Sequence, residues 1–85
     1  MANHKSAAKR ARQTPKRRDR NRAIRTRVRS AVKGFLEAVA GGDADAARTS
    51  FRSAERELRK AASHGVLPKG RVSRKVSRLA KRLQA

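Results

Sequence analysis

Ala47, Phe51, Ala54, Leu58 and Ala61 follow one another in alternating steps of four and three, so a helix would carry all five on one face. Arg48, Arg52, Glu55, Arg56 and Arg59 fall outside that stripe. Both ends carry punctuation. Gly41-Gly42 precedes Asp43, a favourable N-cap, and Asp45 then places a negative charge in the first turn. Arg59, Lys60 and His64 crowd the last turn, Gly65 stands where a left-handed residue is wanted, and Pro68 follows. Stripe and stop signals agree on a helix over 44–63.

Two further stripes flank it. Ile24, Val28, Ala31, Phe35 and Val39, joined by Val32 and Leu36, form one that ends at Gly41-Gly42. So short a connection makes the first two helices antiparallel neighbours. After Pro68, which suits a first helical turn because its missing N–H is not needed there, Val72, Val76, Leu79 and Leu83 form the third. Arg71, Arg74, Lys75, Arg78, Lys81 and Arg82 occupy the opposite arc of that helix. The expected fold is all-α, a three-helix bundle in a single domain spanning 1–85. Its parts are a cationic N-terminal extension of helix 1 over 1–22, the core part of helix 1 over 23–40, helix 2 over 44–63 and helix 3 over 68–84. The core is thin, made of Val, Leu and Ala with only two aromatic residues, Phe35 and Phe51. The chain has no cysteine, so neither disulfides nor a Cys-based zinc site can supplement it.

Charge is distributed unevenly. Residues 1–34 hold thirteen bases and one acid, Asp19, while residues 35–64 hold five of each. Residues 65–85 hold seven bases and no acid, and the whole chain carries +19. A neutral middle therefore lies between two cationic arms. Such a chain repels itself until it meets a polyanion, of which nucleic acid is the usual one. No apolar run approaches the roughly 18 residues of a membrane-crossing helix. Nothing near the N-terminus has the apolar middle of a secretory signal, so a soluble, cytosolic protein is expected.

Residues 3–22 are polar all round, with Ala7, Ala8 and Ala11 as small apolar punctuation. Ala, Arg, Lys and Gln still favour helix, so this stretch is expected to prolong helix 1 into a rod. A helix over 3–40 would be about 57 Å long. Thr14-Pro15 interrupts the picture. Pro15 removes one backbone hydrogen bond, and Thr14 is a fit N-cap for a helix starting afresh there, so a kink near 12–15 is expected. Like charges four apart, such as Lys5 with Lys9 and Lys16 with Arg20, oppose helix formation without a counter-charge. With no apolar stripe to dock, the rod is expected to order on binding its nucleic acid.

The order of residues along the chain resembles bacterial small-subunit ribosomal protein twenty. The likeness begins with Ala2-Asn3-His4-Lys5-Ser6-Ala7, Lys9-Arg10, Lys16-Arg17 and Asn21. It continues through Gly42-Asp43, Lys60-Ala61-Ala62, Gly65-Val66-Leu67, Lys69, Arg71 and Ser77-Arg78-Leu79, covering nearly the whole chain. Two places depart from the family's pattern. Pro68-Lys69-Gly70 stands where the family has His-Lys-Asn, and the family has no interruption at the position of Pro15. The resemblance implies three helices with an extended first one, and direct binding to 16S ribosomal RNA within the 30S subunit, in the cytoplasm and without catalysis. The residues expected to meet RNA are Lys5, Ser6, Lys9, Arg10, Arg12, Lys16, Arg17, Arg18, Asn21, Arg22, Arg25 and Arg29 in the first arm. In the second they are Lys69, Arg71, Arg74, Lys75 and Arg78. Arginine suits the task, because its planar fork grips phosphate at two points. With both Phe residues on core stripes, recognition is expected through shape and phosphate, without base stacking on aromatics.

Other functions fit less well. No cofactor, metal, small-molecule substrate, membrane or second copy of the chain is expected as a partner. His4 and His64 have no companions at metal-ligand spacing, and Ser6, Ser30 and Ser73 lack a His–acid pair. Glu55 and Glu57, two apart, lie on different helix faces. A membrane-surface helix or a mitochondrial targeting segment needs large apolar residues opposite the bases, where residues 3–22 have only alanine. The alternative is a DNA-binding or nucleoid-associated basic helical protein. That reading needs a recognition helix, whereas the bases here are spread along a rod and the last helix.

Overall fold

The computed structural model describes the backbone of residues 2–84 and the side chains of residues 15–84. Three helices run in chain order, α1 over Ala2–Ala40, α2 over Ala44–Ser63 and α3 over Lys69–Gln84. Between α1 and α2 the chain turns on Gly42, whose φ of +76° is one that L side chains rarely adopt. Asp43 then caps α2. Its Oδ1 accepts from the backbone N–H groups of Asp45 and Ala46, each at 3.1 Å.

The far end of α2 closes on Gly65, at φ +75°. Gly65 N–H donates to the Ala62 carbonyl at 3.0 Å, and Val66 N–H reaches back to the Ala61 carbonyl at 2.9 Å. This pair of bonds is the Schellman arrangement, and its usual apolar contact is present. Val66 packs with Ala61 and with Ile24 of α1. The turn is therefore pinned to the first helix as it forms. Helix α3 begins one residue later than the sequence suggests. Pro68 lies just outside it and contributes its carbonyl, which accepts from Val72 N–H at 3.1 Å.

Helix α2 packs against both α1 and α3. Phe35, Ala54, Leu58, Val72 and Leu79 form the centre, one or two residues from each helix. Phe35 is wholly buried and Phe51 half-buried, their rings 5.7 Å apart and tilted by 59°. That tilted geometry adds to the area both rings bury. Both aromatics belong to the core, as their stripes require.

Helix α1 does not start afresh at Thr14. Helix α1 runs through Pro15, and the molecule's longest dimension, 62 Å, accommodates the ~58 Å of an unbroken 39-residue helix. Proline deletes a single i→i−4 bond, and the strong helix formers on both sides carry the helix past it. Residues 15–20 are all exposed, and among the residues of α1 with described side chains the first buried one is Ile24.

Candidate nucleic-acid interface

On α1 the core stripe gives way to bases toward the N-terminus. Arg17, Asn21, Arg25 and Arg29 follow at steps of four, and Arg18, Arg22 and Thr26 form the adjoining row. Together these seven residues line an open trough of about 800 Å³. The arginines are exposed, so their guanidinium groups are presented to solvent. The Thr26 hydroxyl donates to the Arg22 carbonyl at 2.9 Å, holding its side chain against the helix.

A second groove, of about 390 Å³, joins the two cationic arms. Arg25 and Arg29 of α1 and Arg71 of α3 rim it, while Val28, Val66 and Leu67 supply its apolar lining. It exists because the α2–α3 turn is tied to Ile24, which sets the start of α3 beside the middle of α1. Lys69 lines a different groove of similar volume between α2 and α3, with Arg59, Ser63 and Ser73. Arg74, Lys75 and Arg78 are exposed along α3. Lys16 is exposed on α1 outside the trough.

Among the described residues two ion pairs form, and both lie within α2. Arg59 Nε meets Glu55 Oε1 at 3.0 Å, and Arg48 lies 3.9 Å from Asp45. The described bases of α1 and α3 have no acid within that distance. The charged face of α2 is thus partly neutralised within itself, and the faces of α1 and α3 are not. That arrangement suits a polyanionic ligand that supplies the missing negative charge.

The structure brings Arg17, Arg18, Asn21, Arg22, Arg25 and Arg29 into one trough and adds Arg71 through the second groove. Lys5, Ser6, Lys9, Arg10 and Arg12, also expected to meet RNA, have side chains outside the described residues. Thr26 joins the trough although no charge marks it in the sequence; its place four residues after Arg22 is the signal that puts it in the same row. Among the described residues no three His, Cys, Asp or Glu side chains gather as a metal site. No described helix is long and apolar enough to cross a membrane.

Comparison with known proteins places the chain in a family. The profile of the family described as Ribosomal protein S20 matches residues 2–84. The small ribosomal subunit protein bS20 of Anaeromyxobacter sp. (strain Fw109-5) is 57% identical over 81 residues, covering 95% of this chain and 90% of that protein. The protein of the same name from Wolinella succinogenes is 53% identical over 79 residues, with 93% and 87% covered. That of Rhizobium etli (strain CIAT 652) is 52% identical over 85 residues, covering all of this chain and 92% of the relative. With a profile match from end to end and relatives above half identity along nearly their full length, the chain belongs to the ribosomal protein S20 family.

Proposed function

We propose that the chain is a structural, non-enzymatic constituent of the small ribosomal subunit that binds 16S ribosomal RNA directly. In this reading its arginines and lysines hold phosphates from neighbouring RNA segments, and so stabilise the folded arrangement of the RNA during assembly. Compact RNA brings phosphates of several helices close together, and a cationic rod lying among them lowers their mutual repulsion. Residues 2–22 continue α1 away from the bundle as that rod. The protein works in the cytoplasm, as part of the 30S particle.

One observation carries the reading. The described bases of α1 and α3 are exposed and have no acidic partners, and Arg25, Arg29 and Arg71 converge on one groove. The family relationship supports the ribosomal setting.

The test compares affinity for a 16S ribosomal RNA fragment with that for random duplex DNA at equal salt. Tighter binding to the ribosomal fragment is expected. If about eight arm residues neutralise phosphates, log affinity falls with log salt at a slope of about −6 to −7. A slope shallower than about −2 would refute the phosphate-holding mechanism. Equal or tighter binding to DNA would favour the nucleoid-type alternative.

A further inference from the structure

The trough on α1 holds one atom that phosphate binding leaves unexplained. Asn21 Oδ1 is closed off from solvent and accepts no hydrogen bond among the described residues. It lies among arginines four residues away on either side, Arg17 and Arg25, with Arg18, Arg22 and Arg29 completing the lining. An occluded acceptor without a donor is unfavourable, and native structures keep few of them without a reason.

The chemistry of the trough is lopsided. Its five arginines offer donors only, and phosphate oxygens offer acceptors only. Those groups match each other, but they match DNA and RNA equally. The side-chain acceptors lining the trough are Asn21 Oδ1 and the Thr26 hydroxyl oxygen. Along a nucleic-acid backbone the sole hydroxyl donor is the ribose 2′-hydroxyl, which DNA lacks.

We infer that Asn21 is a specificity-determining residue that accepts a hydrogen bond from a ribose 2′-hydroxyl and so selects RNA over DNA. The inference rests on the RNA-binding reading above. With phosphates held by the exposed arginines along the trough, the sugar between two of them lies over Asn21, and reaching Oδ1 requires the side chains that close it off to move aside. The 2′-O–H then donates to Asn21 Oδ1, supplying the bond the free protein lacks. Phosphate binding sets affinity, while this one hydrogen bond reports which sugar is present.

The full chain is titrated at fixed salt with a short mixed-sequence RNA duplex, and with the same duplex carrying 2′-fluorine in place of each 2′-hydroxyl. Fluorine keeps the helix A-form and removes the donor. Wild type is expected to prefer the hydroxyl duplex about five- to tenfold, the scale of one hydrogen bond. Asn21→Leu and Asn21→Ala should both reduce that preference to below about twofold. They should leave the salt slope unchanged, because every phosphate-binding arginine stays in place. Asn21 is outside both core clusters, whose described α1 members begin at Ile24, so both variants keep the bundle. A wild-type preference near one, or a preference that survives in both variants, overturns the inference alone. Wild type binding neither duplex with steep salt dependence overturns the RNA-binding reading, and the inference with it.

Discussion

Removing four positive charges should have very different consequences on α1 and α3 than on α2. Consider Arg17→Gln, Arg25→Gln, Arg29→Gln and Arg71→Gln together. These side chains are exposed, line the trough or the groove between the arms, and have no acidic partner among the described residues. Each phosphate left without its arginine makes the salt slope shallower by about 0.7 to 0.9, so four flatten it by roughly three. From a starting slope near −6.5, wild type loses about four orders of magnitude in affinity between 50 and 200 mM salt. The variant should lose only about two.

The control removes the same charge from the neutral middle, with Arg48→Gln, Arg52→Gln, Arg56→Gln and Arg59→Gln. Two of those arginines are paired with Asp45 and Glu55, and all four are exposed on α2. Exposed pairs of this kind contribute well under ~1 kcal/mol each, so the fold should survive. The salt slope should change by less than about one unit. Anisotropy titrations with a 16S ribosomal RNA fragment across a salt series read both numbers. Equal flattening in the two variants would mean that net charge alone governs binding, and the phosphate-holding faces would lose their meaning.

Phe35→Ala removes the wholly buried ring at the centre of the core and should cost about 3–5 kcal/mol, a large share of what an 85-residue domain has; denaturant unfolding by circular dichroism checks it. Gly65→Ala places a Cβ in open space but at φ +75°, so only backbone strain of about 1–2 kcal/mol is expected, seen as a lower Tm. Deleting residues 1–20 should leave the bundle folded, since its first buried residue is Ile24, while greatly weakening RNA binding. Loss of the helical signal at 25 °C in that truncation would place the rod in the core. In the free chain, amides of the wholly exposed residues 15–20 should exchange rapidly and those of residues 44–63 slowly, because the former have no buried side chains to protect them; strong protection of both would mean that the rod is preformed.

Most of the fold is legible in the sequence because its signals are local. Asp43 caps α2, Gly65 takes the left-handed turn, and the stripes from Ile24, Ala47 and Val72 supply the core, each readable within a few residues of its neighbours. Pro15 misleads. A sequence rule treats proline as a helix breaker, yet the deficit is one hydrogen bond in a segment otherwise rich in helix formers. The trough is partly legible, since its rows repeat every four residues. The groove between the arms is not, because Arg25 and Arg29 meet Arg71 across more than forty intervening residues. Asn21 is named through the family resemblance, but only the folded arrangement reveals that its oxygen is closed off and unpartnered.

The low net charge of α2, five bases against Asp45, Glu55 and Glu57, then has a physical reason. Arg25, Arg29 and Arg71 gather like charge around one groove, and each such approach opposes folding. A third helix as basic as the other two would add to that repulsion across the whole bundle, against a core with a single wholly buried aromatic ring. Helix α2 packs on both cationic helices while answering part of its own charge through Glu55 with Arg59 and Asp45 with Arg48. The repulsion that remains is concentrated on the exposed faces of α1 and α3, the surfaces proposed to meet RNA. A polyanion seated there relieves it, and linkage requires that the relief strengthen the fold and the complex by the same free energy. On the proposed function, the unpaired charge of α1 and α3, unfavourable in the free protein, would therefore couple the bundle's stability to RNA.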